Sequence, residues 1–268
     1  MTWDTNSFDL DAYLTRIGSQ RAEPSVETLD DLHQAHVRSI PFENVDVILG
    51  THPGIGFDAI QRKLVGRQRG GYCYEHALLF AAALEHLGFD VTRRVARVQP
   101  QRPGPRTHAL LKVRIDEQEF LADVGFGAGM LHPMPLKDGA VVDQAGWDHR
   151  LTATGNLWTL EKKTKDGWTP QHASDDQPQL LIDYQIYHHY VSTHPNSPFS
   201  TKLVVMRLDN GISRRLVGNQ FTTEYADGRL EQYDVRDEEV GDALADLDVV
   251  LAAEELDRLQ HVLAASKP

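Results

Sequence analysis

Apolar side chains in the first third of the chain recur three and four residues apart, the spacing that lines one face of an α-helix. Leu10, Tyr13, Leu14 and Ile17 mark a short amphipathic helix that Gly18 can end. Ser25 suits the N-cap of a second helix carrying Leu29, Leu32 and His36, which must stop near Ile40 because Pro41 disfavours a helical residue before it. Asp58 is placed to cap a third, with Ile60 and Leu64 inside. A fourth runs from Cys73 to Leu87, rich in Ala and Leu and closed by Gly88. Residues 1–88 therefore read as a helical unit.

From Asp90 the period changes to two. "DVTRRVARV", "HALLKVRI", "EFLADVGF", "GAVVDQ", "HRLTATG" and "LWTLEKKT" are short runs bounded by Gly, Pro or Asp, and "KKTKDGWTP" carries an Asp-Gly hairpin signal. Strands at this spacing without intervening helices predict an antiparallel sheet or small barrel over 89–180. The segment 181–195 reads as a helix followed by a turn, a connector. In 196–268, "KLVVMRL", "RRLVGNQFTTEY" and "RLEQYDV" are joined by "DNG" and "ADG" turns. One final helix is expected to carry Leu244, Leu247, Val250, Leu251, Leu256, Leu259 and Leu263. The order is helical, then β, then mixed α/β.

The 268 residues are 41% hydrophobic and 25% charged, an ordinary globular composition. A net charge of −12 argues against non-specific binding to nucleic acid, since a phosphate backbone is repelled. Locally, "VTRRVARVQPQRPGPR" holds five arginines and no acid. It reads as a solvated strand face and loop, or as a site for an anion such as a phosphate. A single cysteine permits no internal disulfide, "MTWDTNSFDLDAYL" lacks the apolar run of a secretory signal, and no stretch approaches the length of a membrane helix. The expected location is cytoplasmic, with no membrane partner.

That one cysteine, Cys73, follows Gly70 and Gly71 and begins the fourth helix. A helix N-terminus favours an anion through its unpaired N–H groups and positive partial charge, and the same groups can stabilise an oxyanion. The glycines let the chain turn tightly into the helix. Cys73 thus suits a nucleophile, although unpaired cysteines are also common as inert core residues. A base must decide between the two.

Thirteen histidines offer candidates. His76 lies three residues on from Cys73 but has no evident orienting carboxylate, and His33 and His36 fit the core or surface. His188, His189 and His194 suggest a metal only weakly, because adjacent histidines point apart and no second ligand cluster follows; no metal is expected. His108 and Asp123 stand on one predicted hairpin. With Glu117 and Gln118 as the turn, they share a face but lie four residues apart, roughly 13 Å. A flat hairpin leaves them out of contact; a bulge, strong coiling or another turn is needed to join them.

Taken together, the motifs resemble those of the arylamine N-acetyltransferases. The resemblance rests on "RGGYCYE" at 69–75, "THALLKV" at 107–113 and "DVGFG" at 123–127, supported by "IPFENVDV" at 40–47, "HPMPL" at 132–136 and "NSPFSTKLVVMR" at 196–207. It implies an α+β, multidomain fold of N-terminal helical bundle, central antiparallel β-barrel and C-terminal α/β lid, with a cysteine-protease-like triad. Cys73 would be the nucleophile, His108 its base and later acid, and Asp123 the group that holds and charges the imidazole. Phe42 and Phe126 match positions that line the acceptor pocket. The implied reaction is ping-pong: acetyl-CoA acylates the cysteine and a small aromatic amine or hydrazine takes the acetyl group. A related acyltransferase or amide synthase with another acyl donor, or a thiol hydrolase, is the alternative. Ala77 departs from the family pattern, which has Asn four residues after the cysteine. CoA-contacting residues, and whether the chain forms a homo-oligomer, are not legible.

Overall fold

The N-terminal periodicity becomes α1 (Leu10–Ile17) and α2 (Val26–Ser39) in a computed structural model that describes residues 3–265. Asp9 caps α1 by accepting from the Ala12 N–H, and Gly18 ends it at φ 68°. Ser25 caps α2 through the Thr28 N–H. After Pro41 the chain extends as β1 (Phe42–Glu43) and turns into a short helix, α3 (Val45–Ile48). Next comes α4 (Phe57–Gln61), continued by a wider π turn over Arg62–Gly66, with Ile60 and Leu64 fully buried. Here Gly56, not Asp58, holds the N-cap position; the Asp58 carboxylate is engaged instead by the Ser7 hydroxyl at 2.6 Å.

The strongest helix of the sequence is α5 (Cys73–His86), followed by Gly88 at φ 94°. Every residue from Cys73 to Leu84 is buried. A helix apolar on all sides belongs inside a fold rather than on its face. Around it gathers the main core, which draws Leu14, Leu29 and Leu32 from the helices and Leu111, Val113 and Phe120 from the sheet.

The β region forms one eight-stranded antiparallel sheet that curls into a nearly closed barrel. Its strands are β2 (Asp90–Val98), β3 (His108–Ile115), β4 (Gln118–Ala122), β5 (Met134–Pro135), β6 (Val141–Asp143), β7 (Asp148–Thr154), β8 (Leu157–Thr164) and β9 (Gly167–Ser174). They are ordered β5-β4-β3-β2-β9-β8-β7-β6. Ala96, Leu110, Leu121, Met134, Leu151 and Leu160 pack together as a separate apolar cluster of the barrel. One expectation fails at the β3–β4 hairpin. Ile115 pairs with Gln118, so the turn is Asp116–Glu117, one residue earlier than expected. Asp116 adopts φ 52°, a conformation Asp tolerates better than most residues.

Beyond the barrel, α6 (Leu181–Thr193) and α7 (Pro198–Thr201) lead to β10 (Val204–Asp209), β11 (Ile212–Val217), β12 (Gln220–Tyr225) and β13 (Leu230–Asp234). These four strands form a second antiparallel sheet with β1 at its edge, Phe42 pairing with Met206. The chain's last helix is two: α8 (Val240–Ala245) and α9 (Ala253–Ala265). Between them Asp248 sits at φ 60° and Val250 is 76% exposed, so Leu244 and Leu259 reach the second core from separate helices.

Candidate active site

The approach to Cys73 is built from backbone. Gly71 accepts from the Glu43 N–H at 2.7 Å and donates to the Pro41 carbonyl at 3.3 Å, so the Gly70–Gly71 turn lies against β1. A Cβ at Gly70 would stand 2.1 Å from the Pro41 oxygen, and one at Gly71 2.6 Å from Glu75 Oε2. Tyr72 is extended, and its N–H donates to the Glu75 carboxylate at 3.1 Å, which fixes the first turn of α5.

Glu75 is itself held inside a buried ionic cluster. Lys63 Nζ lies 3.0 Å from Glu75 and 3.4 Å from Asp46, while Arg69 donates to Glu43 at 3.0 Å. Burial pushes the Glu75 carboxyl up, but the Lys63 charge and His52 outweigh it and bring it down to about 2. The nucleophile's helix therefore starts from a buried, charge-paired anchor.

The base and acid come from the barrel. His108 opens β3 and Asp123 follows the last residue of β4. Their contact depends on the register. Continuing the observed pairing one step past Ala122 sets Asp123 across from Leu110, two residues from His108 rather than four. That is a diagonal neighbour within reach of long side chains. His108 Nε2 donates to Asp123 Oδ2 at 2.7 Å, which leaves Nδ1 as the nitrogen not bound to the carboxylate; the Cys73 sulfur, close enough to help raise the ring's pKa, donates to the Thr107 carbonyl at 3.8 Å. Burial alone would lower the His108 pKa, yet the Asp123 charge and hydrogen bond, with Cys73, raise it to about 10. Asp123, which burial would push up, is carried well below the usual carboxylate range by His108 and His172.

Two connections here were not legible in the sequence. His33, on α2, accepts the Asp123 N–H at 3.1 Å through Nε2 and donates from Nδ1 to the Leu131 carbonyl, so it pins the Asp123 backbone. His172, on β9, places Nε2 3.1 Å from Asp123 Oδ2. Neither histidine is near Asp123 in the chain, and a lone histidine in a helix or a polar strand carries no local signal of such a role. The 123–127 loop also packs on the cysteine itself: a Cβ at Gly125 would lie 2.9 Å from Cys73 Cα.

The remaining candidates fall elsewhere. His76 does not serve Cys73: Tyr13 donates to His36 Nδ1 at 2.8 Å, His36 Nε2 lies 2.9 Å from His76 Nδ1, and His76 Nε2 donates to the Gly71 carbonyl at 3.0 Å. Because a carbonyl only accepts, this chain fixes each tautomer, and burial lowers His76 to about 4. His188 turns to the Tyr72 hydroxyl and forms no metal-like cluster with His189 and His194 among the described residues. One donor atom each from His108, Asp123 and His172 lie within 4.8 Å of one another, and within this group His108 Nε2 donates to Asp123 Oδ2. Ala77 is buried in the main core.

A cleft of about 630 Å³ opens over Cys73 and His108. Phe42 and Phe126 both line it, with Phe199 and Met206, giving an apolar wall beside the sulfur. Phe126 packs on the His108 ring at 4.9 Å between centroids. Such a cleft admits a flat apolar ligand and brings its polar edge to a thiol and an imidazole. The arginine-rich stretch is largely consumed within the fold: Arg93 is paired with Glu85, Arg94 with Asp176 and Arg106 with Asp175.

Residues 25–254 match the family model described as N-acetyltransferase. An arylamine N-acetyltransferase of Mycolicibacterium smegmatis is 42% identical over 209 residues, covering 74% of this chain and 76% of that protein. The solved structure of the arylamine N-acetyltransferase from Mycobacterium abscessus superposes with a TM-score of 0.92 at 34% identity, covering 98% of this chain and 97% of that one. The Mycobacterium marinum enzyme in complex with CoA superposes at 0.88 and 31% identity, covering 96% and 98%.

Proposed function

The chain belongs to the arylamine N-acetyltransferase family, and from that premise we propose that its acetyl transfer runs through Cys73, His108 and Asp123 as a cysteine-protease-like triad. The observation that carries this reading is the 2.7 Å His108–Asp123 hydrogen bond, with His108 and Cys73 lining one cleft. The thiolate is the attacking form of a cysteine, and a neighbouring imidazolium such as His108 favours it. The thiolate attacks the thioester carbonyl of acetyl-CoA, the C–S bond to CoA breaks, and His108 protonates the departing thiolate. The neutral imidazole then takes a proton from the attacking amine as the acetyl group moves from sulfur to nitrogen. An aromatic amine is suited to this step because it is a weak base, unprotonated at neutral pH.

Phe42 and Phe126 form the apolar wall against which such an acceptor lies. In this reading residues 1–88 are the helical bundle that carries the nucleophile and 89–180 the barrel that carries base and acid. Residues 181–195 connect, and 196–268 are the α/β lid. No helix among the described residues is long and apolar enough to cross a membrane, and a lone cysteine suits a cytoplasmic enzyme. Intact-protein mass spectrometry after exposure to acetyl-CoA tests the proposal. One acetyl group should appear on Cys73, persist without acceptor, and vanish when 4-aminobenzoate or hydralazine is added. No mass gain, or steady CoA release without amine, would overturn it.

A further inference from the structure

Asp123 Oδ2 is shared by two histidines, not one. His108 Nε2 stands 2.7 Å from it and His172 Nε2 3.1 Å, the second a close contact outside ordinary hydrogen-bond geometry. His172 is 1% exposed, and neither Nδ1 nor Nε2 completes a hydrogen bond of ordinary geometry, so the 3.1 Å approach to Asp123 is the nearest polar contact given for the ring. Its ring lies 5.2 Å from that of His108 and edge-on to Phe126 at 4.9 Å, so neighbours on two sides fix its plane. A carboxylate oxygen only accepts, so the 3.1 Å contact favours the tautomer with the hydrogen on Nε2 and the lone pair on Nδ1.

Resting on the triad reading above, we infer that His172 is a positioning residue of the transfer reaction: a neutral donor that fixes Asp123 as an ionised acceptor and so keeps His108 over Cys73. Neutrality matters here. A second cation beside Asp123 would compete with the His108 imidazolium, whereas a neutral N–H holds the carboxylate without opposing that charge. Burial, the largest influence, and the nearby charges of His108 and Arg94 keep His172 below its ordinary value despite Asp123. The titratable groups facing this pair are Cys73 from α5, His108 from β3, His33 from α2, Arg94 from β2, His149 from β7 and Tyr184 from α6. Of these, His108 donates to the Asp123 carboxylate at 2.7 Å and His172 Nε2 approaches the same oxygen at 3.1 Å, while the Gly125 N–H adds a longer bond of 3.3 Å to Oδ1.

Full-length His172→Leu and His172→Gln proteins test the inference through the pH dependence of iodoacetamide alkylation at Cys73 and of kcat/KM for acetyl transfer. A donor lowers a carboxylate's pKa, so its loss raises it. In His172→Leu the acid limb of both profiles should move up by about one pH unit, and His172→Gln, whose amide restores an N–H, should return most of the shift. A Leu profile that coincides with the wild type, or a folded Gln variant no better than Leu, overturns the inference. If the variants do not fold, nitrogen NMR of the wild-type protein labelled at histidine decides. His172 should be neutral and protonated on Nε2 at neutral pH; the other tautomer, or a charged ring, overturns it. A wild-type alkylation profile with no neutral plateau would remove the triad reading and this inference with it. A normal wild-type profile with an unshifted Leu variant would remove only His172.

Discussion

Replacing Asp123 with Asn should separate a thiolate that the site sustains from a thiol that merely sits in it. Asn keeps the shape and loses the charge. The His108 ring is raised to about 10 because Asp123, assisted by Cys73, overcomes the burial that would otherwise lower it. Without that charge burial is the main remaining influence, and the ring falls to its ordinary 6.5 or below. A fall from about 10 to 6.5 corresponds to about 5 kcal/mol at 1.36 kcal/mol per unit, enough to dissolve the ion pair. An unassisted thiol with a pKa of about 8.5 is about 3% ionised at pH 7, so alkylation there should slow roughly thirtyfold. The assay is the second-order rate of iodoacetamide inactivation from pH 5 to 10, with Cys73→Ser as the blank. The wild-type rate should be level through neutral pH, and the variant's should climb toward alkaline pH as free thiolate forms. Superimposable profiles would refute the role given to Asp123.

Three further outcomes follow from the geometry. Gly125→Ala forces a Cβ within 2.9 Å of Cys73 Cα and 3.1 Å of its carbonyl oxygen, so single-turnover acetylation should slow roughly a hundredfold, as small misplacements of reacting groups do; a wild-type rate would contradict the contact. Lys63→Met takes from the buried Glu75 carboxylate its lysine partner, Asp46 and Glu43 keeping Arg69, and should cost roughly 3–5 kcal/mol in urea unfolding, with partial recovery in a Lys63→Met/Glu75→Gln double variant; equal midpoints would deny the cluster its anchoring role. His33 and His76 are depressed to about 4, below the unfolded value of 6.5, so the unfolded chain binds more protons and stability is lost as pH falls from 6.5 toward 4, by about 1.4 kcal/mol per pH unit for each. His108 acts oppositely, its contribution complete below 6.5 and lost as pH rises toward 10, which puts the optimum near neutrality; urea midpoints that do not change between pH 7 and 5 would refute this.

Much of this architecture is written locally. Gly18, Ser25 and Gly88 punctuate helices where the periodicity says they should, and β2, β3 and β8 begin and end where their alternation does. What escaped depends on backbone states or on distance. Asp116 takes a left-handed conformation that no Gly or Asn announces, and the resulting one-residue change in the turn brings Asp123 within reach of His108. Asp248 breaks the last helix in the same unannounced way. His33 and His172 act on Asp123 across 90 and 49 residues of chain, so only the closed sheet and the packed helix reveal them.

The pairing of Phe42 with Met206 has a consequence for how the protein is made. At ribosomal rates of about 5–20 residues per second, residue 42 waits roughly ten to thirty seconds for residue 206 to be synthesised. Until then the Phe42–Glu43 edge that braces the Gly71 turn lacks its partner, and a nascent chain already holds its cysteine helix with one side unfinished. Translation stalled between residues 123 and 206 would therefore yield a polypeptide containing Cys73, His108 and Asp123 yet unable to complete the sheet that steadies them.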